Sequence, residues 1–330
     1  MNVLITSSDS YSIFAGVTLT SLFENNKNLN EITVHFLTTG LSDENKSKLT
    51  ELCNNYKRKI VFYNSDNLIQ FFVSNDVPKY GGSYVPYFRL FFTKYITNLP
   101  ERLLYLDCDL LITKSIEALE KLDFEGALYA AVPDCNGVLH RLRNVDSSKY
   151  FNNGVILFNC NKWLDENCER KILDFIKNVP VMADADQYIT NFLFSDHVKS
   201  LPCRYNYGAS FVFYGIKKSS VIYKWSESYK RNMQEAEKDI CIYHCFPIFG
   251  KRPWNKGFLL KKLEWDYYLK ISPWKNYSKT KTGFSLFYIL EYILYWILPI
   301  QVFAAIHNRI FIRAVLTLPS ERQCRNKSKL

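Results

Sequence analysis

Short apolar runs alternate with segments of helical periodicity through most of the chain. This alternation constrains the fold more than any other feature. Val3–Ile5, Ile32–Leu37 and Ile60–Tyr63 are strand-like runs. Between them, Phe14–Phe23 spaces its apolar residues as a helix does, and Asp43–Asn55 follows Ser42 as a capping residue, with Glu44 and Asn45 in the first turn. Strands joined through helices run parallel and need cover on both faces, so the pattern predicts an α/β fold. Tyr84–Ile96 reads as an aromatic-rich helix, Asp165–Asn178 and Gln187–Phe194 as further helices. Arg102–Leu111, Ala127–Val132, Gly154–Phe158 and Ile240–Tyr243 read as strand-forming runs. No internal repeat and no long linker interrupts the chain before about Trp274.

Composition sharpens this picture at the C-terminal end. The 330 residues are 48% hydrophobic with 12 Gly and 11 Pro, which excludes collagen-like and largely disordered chains. The net charge of +10 is unevenly placed. Met1 to His244 holds 27 Lys/Arg against 28 Asp/Glu, whereas Cys245 to Leu330 holds 15 against 4. A nucleic-acid binder does not need that asymmetry; a neutral body with a basic tail for an anionic surface does. The tail carries Phe284–Ile306, interrupted among strongly polar or helix-breaking types only by Glu291, Pro299 and Gln301, followed by Arg309, Arg313, Arg322, Arg325, Lys327 and Lys329. An aromatic, basic helix lying in a membrane interface is the reading taken here, with a membrane span and a buried helix pair as competitors. Residues 1–274 are expected to form the catalytic body and residues 275–330 a membrane-associating segment. The first residues show no secretory signal and the nine cysteines are irregularly spaced, so the chain is expected in the cytoplasm with reduced thiols.

Several residues with chemical potential fall at strand ends. Asp107 and Asp109 sit two apart after an apolar run, where an open α/β sheet gathers its ligands. Two hard carboxylates there suit Mg²⁺ or Mn²⁺, although a solvated turn has the same spelling. Asp9 and Tyr11 follow the first strand; a carboxylate can accept from a base imide and a phenol ring can stack on the base, while an N-cap at Asp9 or Ser10 is the plainer alternative. Arg89 lies among apolar residues and needs a partner. Asn152 and Asn153 precede a strand, and their amides can hold sugar hydroxyls or make a turn. Asp184 and Asp186 open a helix, where acidic residues complement the helix dipole. His244 ends a strand and can complete a metal site begun by two aspartates, with Lys251 and Arg252 just beyond it for phosphates. The spacing of Cys241 and Cys245 does not fit a zinc site.

Taken in order, Asp9-Ser10-Tyr11, Tyr87 to Leu90, Leu104 to Asp109, Tyr150 to Val155, Asp186-Gln187, Pro202 to Asn206 and His244 with the basic-Pro-Trp ending resemble family 8 of the glycosyltransferases over about Met1 to Trp254. The resemblance implies a GT-A fold, a Rossmann-like nucleotide-binding mixed sheet flanked by helices, and a retaining hexosyltransferase that uses a UDP-sugar with Mn²⁺ or Mg²⁺. It implies Asp107, Asp109 and His244 as metal ligands. Ser7, Asp9, Tyr11, Arg89, Asp107, Cys108 and Asn153 would bind nucleotide and donor, with Lys251 or Arg252 at the diphosphate. Gln187, Asp186 and Asp134 would face the transferred sugar and the acceptor. With the basic tail, the expected acceptor is a lipid-linked or surface glycan at the inner face of the cell membrane, as in lipopolysaccharide, capsule or glycolipid synthesis.

Retention needs a nucleophile on the far face of the sugar or same-face attack guided by the leaving phosphate. Gln187 is a neutral amide, so same-face return is favoured, with Gln187 and Asp186 positioning. A membrane-tethered nucleotide-sugar binder without turnover is the competing class. It does not need the whole Asp107, Asp109 and His244 set. A nucleotidyltransferase is disfavoured because no Gly-rich basic N-terminal loop exists to cradle a triphosphate.

Overall fold

The computed structural model describes residues 1–77, 79, 82–143, 146–178, 185–260, 263–281 and 285–317. Among the described residues ten strands are present: β1 (Asn2–Ser8), β2 (Thr33–Thr39), β3 (Lys59–Asn64), β4 (Arg102–Leu106), β5 (Leu110–Ile112), β6 (Tyr129–Pro133), β7 (Phe151–Asn159), β8 (Val198–Ser200), β9 (Tyr207–Gly208) and β10 (Ile242–His244). Seven form one sheet in the order β3-β2-β1-β4-β7-β6-β8. The strands β3, β2, β1 and β4 are parallel, while β7 runs antiparallel to both β4 and β6. A small second sheet, β5-β10-β9, lies beyond the end of β4. The predicted α/β class holds, and its sheet is mixed, as the family resemblance implied.

The N-terminal helices are α1 (Ser12–Glu24), α2 (Asp43–Asn55), α3 (Asp66–Ser74), α4 (Val85–Phe88), α5 (Glu117–Glu120) and α6 (Gly137–Arg143). After them come α7 (Cys160–Asp165), α8 (Cys168–Asn178), α9 (Ala185–Phe194), α10 (Ala209–Ile222), α11 (Glu227–Glu237), α12 (Trp265–Lys270), α13 (Leu286–Ile297) and α14 (Ile300–Thr317). Two apolar clusters sandwich the sheet. One contains Val3, Ile5, Leu104 and Leu106 with α1; the other contains Leu4, Leu103 and Tyr105 with Phe72, Phe88 and Trp163. Successive residues of β1 and β4 thus bury opposite faces, which is why their sequences are continuous apolar runs.

Three expected elements differ. Tyr84–Ile96 is not one helix: α4 lasts a single turn and passes into tight turns, with Leu90 N–H donating to Tyr87 and Phe91 N–H to Phe88. Tyr87, Phe88, Leu90, Phe91 and Phe92 are all buried, and no single helix face can bury so many consecutive side chains. Asp165–Asn178 splits at Asn167, whose φ of 52° lies in the left-handed region that Asn tolerates. The apolar tail breaks near Pro299 into α13 and α14, and Phe284 lies outside the described residues. Tyr295, Phe303 and Ala304 are buried with Ile222, Ile248 and Phe249, so the hairpin has a core of its own against α10. Its outer face is open: Leu286, Phe287, Leu290, Ile293, Trp296 and Ile297 are exposed. Among the described residues no helix is long and apolar enough to cross a membrane. Arg322, Arg325, Lys327 and Lys329 lie outside the described residues.

Candidate active site

A cavity of about 670 Å³ opens at the carboxyl ends of β1 and β4. That volume is in the range of small-molecule sites. Its floor is the turn between β4 and β5, which carries Asp107, Cys108 and Asp109. This turn is clamped from below by α1. Thr18 Oγ1 donates toward the carbonyls of Cys108 and Leu110 at 2.8 and 2.9 Å, and Ser21 Oγ accepts from Ile112 N–H at 3.0 Å. Neighbouring strands complete the clamp, because Asp107 N–H donates to the Gly154 carbonyl and Cys245 N–H to the Asp109 carbonyl, each at 2.9 Å.

Each aspartate has one oxygen tied and one turned inward. Asp107 Oδ1 accepts from Tyr105 OH at 2.6 Å and pairs with Arg89 Nη1 at 3.0 Å. Asp109 Oδ2 pairs with Arg252 Nη1. The inner oxygens, Asp107 Oδ2 and Asp109 Oδ1, lie 3.8 and 3.2 Å from His244 Nε2. One ligand atom from each of the three residues falls within 4.8 Å of the others. Burial raises the Asp109 carboxyl, but His244 and Arg252 more than offset it and hold it below the usual carboxylate range.

The tautomer of His244 follows from its neighbours. Asn206 Nδ2 donates to Asn152 Oδ1 at 2.7 Å, which leaves Asn206 Oδ1 as the acceptor for His244 Nδ1–H at 2.9 Å. Nε2 then faces the two aspartates and would present its lone pair to a cation held between them, the arrangement typical of a metal-ligating histidine held by a second residue. Gly154 makes room for the ring, since a Cβ there would sit 2.5 Å from His244 Cε1. Two carboxylates and one neutral imidazole, with room in the cavity for further oxygens, suit Mn²⁺ or Mg²⁺.

Arg89 is buried, as its apolar surroundings suggested. It stacks 4.2 Å over the Tyr105 ring, donates from Nη1 to the Asn153 carbonyl at 2.9 Å, and approaches Asp186 Oδ2 at 3.4 Å. Asn153 Nδ2 also donates to Asp186 Oδ2 at 2.8 Å. Burial pushes the Asp186 carboxyl from 3.8 to about 6 despite Arg89 and Asn153. Gln187 Oε1 accepts from Asn152 Nδ2 and Asn153 N–H at 3.1 and 3.2 Å. Asp134 does not line the cavity. It stands behind Gln187, accepting from Asn152 Nδ2 at 3.1 Å and lying 3.2 Å from His140 Nε2.

At the other end, Ser7, Ser8, Ser10, Tyr11 and Cys108 line the cavity, and Tyr11 stands edge-on to Phe14. Burial and Asp107 push the Cys108 thiol up to about 12, so it is a wall and not a nucleophile. Asp9 is not in the lining. Its Oδ1 accepts from Asn45 Nδ2, Ser42 N–H and Ser42 Oγ at 2.9, 2.8 and 2.7 Å. These bonds pin the start of α2 and, Asn45 foremost, hold the carboxyl below its ordinary range. Of the two basic candidates, Arg252 enters the cavity, whereas Lys251 Nζ turns to the Gly257 carbonyl at 3.4 Å. Asp184 lies outside the described residues. Tyr105, Asn206 and Thr18 were not singled out from the sequence. Asn206 stood inside a quoted motif without a role, and the one available signal for Thr18 and Ser21 was hydroxyls in an otherwise apolar helix.

A parallel-rich mixed sheet flanked by helices, with Asp107, Asp109, His244 and Arg252 gathered beyond its strand ends, is an architecture of the GT-A type. The profile of Glycosyl transferase family 8 matches residues 2–257, and the chain belongs to that family. It is 30% identical over 281 residues to a lipopolysaccharide 1,2-glucosyltransferase of Escherichia coli, covering 81% of this chain and 77% of the relative. General stress protein A of Bacillus subtilis is 25% identical, with 84% and 95% covered. Among solved structures, the galactosyltransferase LgtC, in complex with donor and acceptor sugar analogs, aligns with a TM-score of 0.66 at 21% identity over 82% of this chain and 94% of its own. The bifunctional glycosyltransferase WbbM aligns at 0.70 with 20% identity over 84% of this chain and half of its own. At those identities the structures establish the fold.

Proposed function

We propose that this glycosyltransferase is a retaining, metal-dependent hexosyltransferase that moves galactose or glucose from a UDP-sugar to a lipid-linked or surface-glycan acceptor. The observation that carries the reading is the convergence of Asp107, Asp109 and His244 on one point, with Arg252 beside them in a nucleotide-sized cavity. Mn²⁺ or Mg²⁺ held by Asp107 Oδ2, Asp109 Oδ1 and His244 Nε2 would supply neutralising charge for a leaving diphosphate. Arg252 adds a fixed cation at the same end, where negative charge develops. Tyr11 offers a ring for the base, and Ser7, Ser8 and Ser10 offer hydroxyls around it. Arg89, Asn153 and Asp186 form one rigid network under the donor sugar.

Gln187 is better suited to orient the sugar than to attack it. Its carbonyl oxygen is already engaged by Asn152 and by the Asn153 backbone. That engagement supports same-face return, in which the acceptor hydroxyl approaches beside the leaving phosphate and the phosphate takes its proton. Asp134 would act through Gln187 and Asn152.

The acceptor class rests on two supports. The E. coli relative is named for lipopolysaccharide, and α13 presents an open apolar face beside a basic C-terminal region. Such a face on a chain with basic excess suits an anionic leaflet, which would place the enzyme peripherally at the cytoplasmic side of a membrane. The direct test is UDP release by the purified protein with Mn²⁺ across a panel of UDP-sugars. Slow hydrolysis of one donor, abolished by EDTA, is expected. Binding of UDP without turnover, with or without glycolipid acceptors, would instead favour a nucleotide-sugar binder.

A further inference from the structure

The segment that joins His244 to Arg252 is folded against its own preferences. Ile248 N–H donates to the Lys251 carbonyl at 2.8 Å and Lys251 N–H to the Ile248 carbonyl at 3.0 Å, which closes a tight turn. Its two central residues, Phe249 and Gly250, have φ of 46° and 70°. Left-handed backbone at both positions normally selects Asn, Asp or Gly, and an aromatic residue at the first is strained. What holds it is the C-terminal hairpin. The Phe249 ring is buried, with centroids 5.3 Å from Tyr292, 5.7 Å from Tyr295 and 5.9 Å from Phe213. The Tyr288 ring lies where a side chain on Gly250 would project, 2.3 Å from an added Cβ. The hairpin is itself seated on α10, where Asn308 Nδ2 donates to the Ile222 carbonyl and Lys218 Nζ to Tyr295 OH, both at 3.0 Å. On the cavity side of the turn, Phe246 and Arg252 are in the wall, and Arg252 reaches Asp109 and the Cys245 carbonyl.

We propose that the C-terminal hairpin is a working part of the donor site, and that Phe249 is a positioning residue through which α13 and α14 set the turn that aims Arg252 at the diphosphate. This deepens the reading of the cavity as a UDP-sugar site and rests on it. The hairpin's contribution is specific. Asp107 and His244 are positioned by β4, β7, β10 and Asn206, and Asp109 keeps its backbone bond from Cys245 when Arg252 moves, whereas Arg252 is aimed from the turn. Loosening the turn should therefore weaken diphosphate binding and spare Mn²⁺ binding.

The experiment uses the full-length protein and two probes, Mn²⁺ alone and UDP with saturating Mn²⁺, by titration calorimetry. Phe249→Asn keeps a residue that accepts the left-handed backbone and removes the anchor. It is expected to weaken UDP about tenfold and Mn²⁺ by no more than about twofold, while Phe249→Tyr restores UDP binding. In turnover, the loss should fall on the KM of the UDP-sugar more than on kcat. A purely structural role would instead lower the folded fraction and leave the affinity of what remains unchanged. Tyr288→Ala, at an exposed position, is the second handle should Phe249→Asn not fold, with a smaller loss of UDP affinity expected. Hydrogen exchange of residues 246–252 without ligand should rise in both variants. Unchanged exchange and unchanged UDP affinity would overturn the proposal. Absence of UDP binding in the wild type would count against the donor-site reading, while the exchange data would still decide whether the hairpin holds the turn.

Discussion

The floor of the cavity and the C-terminal hairpin are built by opposite means. At the floor, polar atoms are paired one by one. Tyr105 and Arg89 take one oxygen of Asp107, Arg252 takes one of Asp109, and Asn206 fixes the ring of His244. At the hairpin, order comes from rings packed against rings and from few polar contacts, and one face of α13 is left exposed among the described residues. Directional bonds fix atoms to within tenths of an ångström, as charge stabilisation requires. Apolar packing fixes an element's place while leaving a surface free for a partner. If this division is real, substitutions at the floor should abolish chemistry and spare location, and substitutions on the outer face of α13 should do the reverse.

The largest expected effect is at Asp109. It touches the proposed cation on one side and Arg252 on the other, so Asp109→Ala removes a ligand and strands a guanidinium at once. Losing several kcal/mol of charge stabilisation corresponds to a fall in turnover of about 10³-fold or more. Calorimetry should show no Mn²⁺ binding, while the membrane-bound fraction of the variant stays that of the wild type. A variant that still binds Mn²⁺ at wild-type affinity would refute the ligand assignment.

Asp186 gives the next largest effect, and it is readable without metal. Its folded pKa of about 6 lies above the ordinary 3.8, so the folded state binds the proton more tightly than the unfolded state. Its contribution to stability is fully present below about pH 4 and is lost as pH rises through about 6. Urea unfolding in EDTA should thus show the wild type losing stability relative to Asp186→Asn between pH 4.5 and 7.5. Parallel curves for the two proteins would mean that Arg89 keeps Asp186 ionised throughout.

The two regions also differed in how much of them could be read from sequence. Asp107, Asp109 and His244 were legible as residues at strand ends, which meet at one place in an open sheet, Arg89 as a cation among apolar residues, and Gln187 through the family resemblance alone. Asp9 was legible as a strand-end residue but not in its role. Whether its carboxylate turns to the cavity or to Ser42 and Asn45 depends on where α2 begins in space, about thirty residues away in sequence. The Tyr84–Ile96 segment misled for a related reason, because burial from all sides overrode its helical spacing. In the tail, composition revealed the basic excess and the apolar run but not the hairpin, because the burial of Tyr295 and Phe303 depends on α10, some eighty residues earlier.

Asn206 probes the floor more gently. Asn206→Ala leaves all three proposed ligands in place and removes the acceptor that sets the His244 tautomer. Such partners of metal-bound histidines contribute about 10–100-fold in affinity or activity. Mn²⁺ affinity should fall by that factor, with UDP affinity following only as far as it depends on the metal. A change below twofold would indicate that Gly154 and Phe246, which crowd the ring, orient it without Asn206.

The outer face of α13 should give the smallest catalytic effect. Leu290 and Ile297 are 53% and 71% exposed and belong to no cluster in the body. Replacing both with Ser removes apolar surface that only a partner would bury. If that partner is an anionic bilayer, each residue contributes on the order of 1 kcal/mol, and binding to vesicles containing phosphatidylglycerol should weaken about tenfold for the pair. UDP-sugar hydrolysis in solution should be unchanged, since neither side chain belongs to the cluster that holds Phe249. The neighbouring Tyr288 and Tyr292 do touch that turn, so the same helix presents one face to the donor site and another outward. A double variant that kept its vesicle affinity would shift the membrane contact to the basic residues alone, and raising the salt concentration would then release the protein completely.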